Sequence, residues 1–387
     1  MKHLNVLVLM EWYDHPLRVG IGRYAAEQEW HLTVNDGCML PKGWSGDGIL
    51  TMFATREDIV RYIKRQKIPR VDIGDYRTDV KLPRVCGDHK LIGKVGADHL
   101  IERGYRHAAY FSTEYQRPHE LRGNGFSARF LECTGNAAVP LVWADAPGRE
   151  IDDRRTLNRW LRKKLDNLPN PLGIFCYCDY DAAKVESVCL EAGCDIPGDV
   201  AILGVDNDKL VCENIRIPLS SVRHDRVRIG YEGAALLHKL MSGTSATASA
   251  RLVPPCGVEL RASTDAFAAD DLLARGVIKF FRDNLGGSIG VAEAARHAGM
   301  TSQKLEEHFN RTMGETVYNV LTKLRFFEVK RLLTLTDMPV KEIARQTGFC
   351  HGQHLNNAFK RLEGLTPGRY RIAERQKTAQ TSVADIE

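Results

Sequence analysis

Val291-Ala-Glu-Ala-Ala-Arg-His-Ala-Gly-Met300 is answered 49 residues later by Val340-Lys-Glu-Ile-Ala-Arg-Gln-Thr-Gly-Phe349. Each stretch reads as a short helix with Ala at its fifth position, then Gly, then a large apolar residue. A small Ala lets a second helix cross closely, Gly takes the left-handed conformation of a tight turn, and the apolar residue plugs the corner. Each stretch is followed by an amphipathic run, Ser302–Arg311 and His351–Leu362, with Leu305 and Phe309 or Leu355 and Phe359 on the inward face at i, i+4. Two helix-turn-helix units are therefore expected. The segment Thr316–Leu335 reads as one helix joining them, and Pro339 stands at the start of the next, where its missing N–H costs little. A rigid connecting helix can hold two recognition helices about one DNA turn apart, roughly 34 Å.

Charge follows the same division. Residues 275–377 hold 18 Lys and Arg against 10 Asp and Glu, whereas residues before 270 hold 36 against 35. A neutral front and a basic back suit a nucleic-acid module at the C-terminal end. Ser302, Gln303 and Glu306 on the first recognition helix, and His351, Gln353, Asn356 and Asn357 on the second, lie where base edges would be met. Gln and Asn can pair bidentately with adenine, and Glu can accept from cytosine N4. Lys304, Arg311, Lys360 and Arg361 suit phosphates, which position without specifying.

Outward from the repeat, the front of the chain alternates short apolar runs with amphipathic stretches. The strand candidates are Asn5–Met10, His31–Asn35, Gly48–Thr51, Arg70–Ile73, Arg84–Cys86, His107–Ser112, Leu172–Cys176 and Val200–Val205. Helix candidates between them are Arg18–Glu29, Arg56–Lys67, Leu91–Arg103, Thr156–Leu165 and Asp181–Ala192. This is the pattern of parallel sheets covered by helices, and so many strands imply two doubly wound sheets. The expected organisation is an α/β two-lobed domain over residues 1–264, a linker over 265–271, an all-α domain with two helix-turn-helix units over 272–376, and a polar tail over 377–387.

Other chemistries fare less well. Gly20-Ile-Gly22-Arg-Tyr-Ala25, with Asp36 closing the next strand, matches a dinucleotide fingerprint. In that motif the glycines end the strand, whereas here Glu11–Val19 intervenes and they fall inside a helix, where they favour close packing. The ten cysteines are scattered, without a CxxC pair or a His at ligand spacing, so neither metal nor cofactor is expected. No apolar run is long enough for a bilayer, and Asn5–Met10 lacks a cleavage site, so no membrane association and a cytoplasmic location are expected.

The last hundred residues resemble the AraC-type regulators through Ile343-Ala344, Gly348-Phe349, Phe359-Lys360, Gly364, Thr366-Pro367 and Tyr370-Arg371, with Leu355 where that family usually has Phe and Glu307 where it often has Arg. The front resembles the LacI-type effector domain, of periplasmic-binding-protein fold. The matching segments include Leu82–Asp88, Ala97–Gly104, Arg122–Phe126, Gly173–Asp179, Ile196–Asp206, Ile217–Val222 and Val253-Pro-Pro255. The resemblance implies two lobes closing on a small ligand, with the carboxyl ends of the strands facing the cleft. Tyr13 and Asp14, Asp179, and Asp206 with Asn207 follow such ends, and the resemblance adds Arg122. Carboxylates accept sugar hydroxyls, Arg donates in a fixed fork, and Tyr13 or Trp12 can cover an apolar ring face.

Pairing these two domain types implies a sequence-specific transcriptional regulator of double-stranded DNA controlled by a small sugar, D-xylose or a related aldopentose. It also implies a homodimer, an activating output and a possible contact with RNA polymerase. Two rivals stay open: a sugar-acting enzyme, with Asp179 and Asp206 as paired carboxylates, and a DNA binder that needs no ligand.

Overall fold

The computed structural model describes residues 3–35, 40–146, 154–244, 250–264 and 271–373. Asp36, nearly all of the expected linker 265–271, and the tail 377–387 lie outside the described residues. The chain runs β1 (Asn5–Met10), α1 (His15–Glu27), β2 (His31–Asn35), β3 (Gly48–Met52), α2 (Glu57–Arg65), β4 (Arg70–Asp72), β5 (Arg84–Gly87), α3 (His89–Glu102), β6 (His107–Ser112), α4 (Arg117–Thr134), β7 (Val139–Val142), α5 (Arg154–Leu165), β8 (Leu172–Cys176), α6 (Asp179–Glu191), β9 (Val200–Val205), α7 (Lys209–Cys212), β10 (Ser220–Val222), α8 (Arg226–Met241), β11 (Ala250–Val253) and β12 (Val258–Glu259). Six further helices follow: α9 (Leu272–Asp283), α10 (Val291–His297), α11 (Ser302–Met313), α12 (Val317–Leu335), α13 (Val340–Gln346) and α14 (Gly352–Glu363).

The strands form two six-stranded sheets, ordered β11-β5-β4-β3-β1-β2 and β12-β10-β9-β8-β6-β7. All pairings are parallel except β10 with β12. The first sheet and its helices make lobe 1, the second makes lobe 2, and each has its own apolar core. The chain crosses between lobes after β5, after β10 and after β11, and these crossovers form the hinge. The central strands β1, β3, β8 and β9 are buried nearly throughout, as expected of parallel strands covered on both faces.

Gly20 lies inside α1, and its lack of a side chain explains the packing there. A Cβ on Gly20 would stand 1.9 Å from the Val227 carbonyl oxygen, and one on Gly230 would stand 2.1 Å from that of Leu17. Helices α1 and α8 therefore touch backbone to backbone. Strands β7, β10, β11 and β12 and helices α4, α7 and α8 are additions to the expected set.

In the C-terminal region α10–α11 and α13–α14 are the two helix-turn-helix units, joined by the 19-residue α12. The turn glycines Gly299 and Gly348 have φ of 67° and 72°, the left-handed conformation that a side chain resists. Ala294, Ala295 and Ala344 are buried at the crossings. Among the described residues no helix is long and apolar enough to cross a membrane.

Candidate ligand cleft and DNA-reading helices

A cleft of about 700 Å³ opens between the lobes, lined by residues just past β1, β4, β6, β8 and β9 and by the crossovers. At its centre lies Arg122, on α4 and 2% exposed. Its guanidinium donates to the Tyr177 carbonyl oxygen and, at 3.3 Å, to His89 Nδ1. The carboxylate of Asp206 is 3.6 Å away, and the Tyr177 ring lies under the guanidinium at 4.6 Å. Asp206 sits at φ 105° on the turn after β9, a strained conformation that aims its side chain across the cleft. Burial alone would raise its carboxyl, but Arg226, Arg122 and His224 outweigh burial and hold it well below the usual range.

Asp14 caps α1 by accepting from the Leu17 N–H at 3.1 Å, and its other oxygen accepts from Arg226 at 2.9 Å. Tyr13 is exposed at the cleft mouth, with the Arg18 guanidinium 4.5 Å over its ring. Trp12 packs edge-on against Tyr76, ring centroids 5.0 Å apart. The structure thus brings Tyr13, Asp14, Arg122 and Asp206 together around one cavity.

Two expected ligand residues are placed elsewhere. Asp179 opens α6 but turns inward, 1% exposed, and does not line the cleft. One of its oxygens accepts from the Asp208 N–H at 2.7 Å and the other from the Ser221 hydroxyl at 2.6 Å. Burial, then the nearby Asp206, push its carboxyl up to about 7. Asn207 follows Asp206 at φ 54°, and its side chain accepts from Arg261 at 2.8 Å. It borders a smaller cavity behind the crossovers instead. With Asp179 committed to these bonds, Asp179 and Asp206 do not face the cleft together as a pair of carboxylates.

Residues that the sequence reading did not single out complete the wall. His119 stacks on Tyr177, centroids 3.3 Å apart, and lies 2.7 Å from the Ser112 hydroxyl. Burial brings its imidazole down to about 4. His89 and His224 are also kept neutral chiefly by burial, with Arg122 adding to it. The sequence signal was slight: a polar run, Arg223-His224-Asp225-Arg226, directly after the short β10, Ser220-Ser221-Val222.

On the DNA module, Ser302, Gln303 and Lys304 are exposed at the start of α11, and Gln353 and Asn357 near the start of α14. Gln303 Nε2 bonds Glu307 at 3.0 Å and Gln353 Nε2 bonds Asn357 at 3.2 Å, each an i, i+4 pair on one exposed helix face. Arg311, Lys360 and Arg361 are exposed, and Asn356 is half-buried. Two expected base contacts have structural duties. Glu306 accepts from the Val317 N–H at 3.0 Å and so caps α12, while His351 caps α14 by accepting from the His354 N–H at 3.1 Å.

Comparison with known proteins agrees with this architecture. Residues 97–264 match the periplasmic binding protein-like domain and residues 294–373 match a helix-turn-helix domain. The xylose operon regulatory protein of Haemophilus influenzae is 25% identical over 374 residues, covering 93% of this chain and 95% of its own. That of Escherichia coli K12 is 25% identical, covering 93% and 94%. The solved structure of a xylose-binding transcription activator superposes with a TM-score of 0.68 at 22% identity, covering 96% of this chain and 99% of its own. A transcriptional regulator solved in complex with cellobiose matches with a TM-score of 0.57 at 18% identity, covering 67% and 84%. These relatives are transcriptional regulators, not enzymes. Fold, cleft and paired helix-turn-helix units agree: the chain joins a periplasmic binding protein-like domain to AraC-type helix-turn-helix units, the architecture of a transcriptional regulator.

Proposed function

We propose that the cleft binds D-xylose or a related aldopentose, and that this controls binding of the C-terminal helices to a promoter, activating genes of sugar catabolism. The observation that carries the reading is the pairing of charges in the cleft. Arg122 faces Asp206, Arg226 faces Asp14, and Lys184 lies 2.9 Å from Asp181. A cavity in which Arg122, Arg226 and Lys184 each already stand beside a carboxylate favours an uncharged polyhydroxyl ligand over an anion, since an anion would meet a like charge beside each of these cations. Trp12, which also lines the cleft, supplies an apolar ring. Tyr13, Asp14, Arg122 and Asp206 are the proposed ligand contacts. Ser302, Gln303, Gln353, Asn356 and Asn357 are the proposed base contacts, and Lys304, Arg311, Lys360 and Arg361 the phosphate contacts.

In this reading residues 1–264 sense and residues 272–376 bind DNA. The sugar draws the lobes together because it contacts both, and it can shift that equilibrium only by its differential affinity for the closed state. Movement of lobe 2 reaches the DNA module through α9, whose Arg275 and Arg282 pair with Asp199 and Asp195 at 3.3 and 3.0 Å. Strand β9 runs from Asp199 directly to Asp206, so one strand links the clamp to the cleft. The protein acts in the cytoplasm as a homodimer through its effector domains, and RNA polymerase is its partner at the promoter.

The test is a thermal-shift panel of pentoses and hexoses, followed by DNA binding with and without the active sugar. Stabilisation by xylose with altered DNA affinity is expected. A flat response to every aldose would overturn the ligand assignment, and turnover of a sugar would favour an enzyme. Stabilisation that leaves DNA binding unchanged would remove the control step.

A further inference from the structure

The DNA module contains two apolar cores rather than one. The first joins α9, α10 and α11 to Val317, Val320, Leu321 and Leu324 of α12. The second joins α13 and α14 to Phe326, Val329, Leu332 and Leu333. Helix α12 therefore changes cores between Leu324 and Phe326, and the residue at the seam is Arg325. Its guanidinium donates to the Ile289 carbonyl oxygen at 3.0 Å, in the loop before α10. On its other side it meets the turn of the second unit: a Cβ on Gly348 would lie 2.8 Å from its Nη2 and 2.9 Å from its Nε. The same loop and turn also touch directly. That Gly348 Cβ would stand 2.5 Å from the Leu285 carbonyl oxygen, and a Cβ on Gly286 would stand 2.9 Å from that of Gln346.

We infer that Arg325 is a positioning residue for DNA recognition, locking the two helix-turn-helix units at one separation and angle so that they read two subsites at a single fixed spacing. Without it the units share the continuous helix α12, but their cores stay separate and the seam holds a polar cavity of about 310 Å³ beside Leu285, Gly286, Leu324 and Gln346. A helix with one small core at each end can bend or roll at the seam. Arg325 opposes this because one planar guanidinium is held against segments belonging to both units. The inference rests on the reading of α11 and α14 as the DNA-contacting helices.

The experiment uses the full chain and a duplex selected from a randomised pool by the wild-type protein. Affinity is measured for that duplex, for one with a base pair inserted between the two protected subsites, and for one with a single subsite. One base pair moves the second subsite by about 3.4 Å and rotates it about the axis, so wild type should lose at least ~10-fold on insertion. Arg325→Met should bind the parent duplex ~10-fold more weakly and discriminate the insertion by less than ~3-fold, with single-subsite binding unchanged. Arg325→Lys, which keeps charge but not the planar fork, should resemble the Met variant. Equal weakening on all three duplexes, with the spacing penalty intact, would overturn the inference and make Arg325 a stability or phosphate residue. So would an unchanged spacing profile in a folded variant. Failure of wild type to protect two subsites on any selected duplex would instead defeat the assignment of the reading helices.

Discussion

Replacing Asp206 by Asn tests the centre of the cleft. The substitution keeps size and removes the carboxylate that faces Arg122 at 3.6 Å. Arg122 is 2% exposed, so its charge cannot turn to water. Removing one partner of a buried ion pair costs about 3–5 kcal/mol, because the other is left uncompensated. Two neutral acceptors stay near the guanidinium, the Tyr177 carbonyl oxygen and His89, which places the cost at the low end, about 3 kcal/mol. For a domain of this size each kcal/mol moves Tm by about 2–4 °C, so a fall of roughly 6–12 °C is expected. Because the Asp206 carboxyl is held well below its ordinary range, its stabilising effect is fully present above about pH 4 and is lost only as pH falls toward that depressed value. The difference between variant and wild type should therefore be constant from pH 5 to 8. Differential scanning fluorimetry reads Tm, and the same traces with xylose read binding, since a ligand of the native state raises Tm by mass action. Asp206→Asn should lose the xylose response at concentrations that saturate wild type. Adding Arg122→Met should restore part of the stability by removing the unpaired charge, yet none of the ligand response. A Tm within 2 °C of wild type (~1 kcal/mol or less by the same conversion), or a retained ligand shift, would refute the reasoning.

Other outcomes follow from the same geometry. Gly20→Val should cost about 3 kcal/mol or prevent soluble expression, because its Cβ would lie 1.9 Å from the Val227 carbonyl oxygen, whereas Gly22→Ala, with open space around it, should raise Tm slightly. His119 is held neutral down to about 4, below its unfolded value, so the stability it confers is present above pH 6.5 and declines as pH falls. Between pH 7 and 5 the effector domain should lose about 2 kcal/mol from this group, and His119→Phe should flatten that part of the Tm profile. Glu306→Ala should lower the stability of the DNA module by about 1 kcal/mol, the cost of a lost cap, and leave base preference unchanged. Gln353→Ala, by contrast, should weaken binding at particular operator positions, and uniform loss across sequences would make it a backbone contact.

What the sequence disclosed follows the strength of local periodicity. The recognition units were legible because their packing is local: Ala344, Phe349, Leu355 and Phe359 lie within sixteen positions and share one apolar core. Strands β1, β8 and β9 were legible because buried parallel strands are uninterrupted apolar runs. Helices α4 and α8 were not, and what places them is non-local: they cross α3 and α1 at glycine, with Gly93 and Gly125 packing α3 against α4 as Gly20 and Gly230 pack α1 against α8. Strands β10, β11 and β12 are only two to four residues long, and β11 pairs with β5, far from it in sequence.

The cleft was half legible for a related reason. Asp14, Asp179 and Asp206 all stand at strand ends, and nothing local separates them. Their fates differ by turn geometry. Asp14 holds φ −135° as a cap and offers one oxygen to Arg226 across the cleft. Asp206 and Asn207 take positive φ, which swings the first into the cavity and the second toward Arg261. Asp179 follows an extended Cys178 and falls inside the first turn of α6, where Ser221 and the Asp208 N–H capture it. Ser221 belongs to β10, in the same lobe as Asp179, and Arg226 to α8, beyond the crossover that follows β10. Which carboxylate faces the cleft is thus decided by donors that are distant in sequence. That is why Arg226, one cation of an unremarked polar run, settles more of this site than the strand ends themselves.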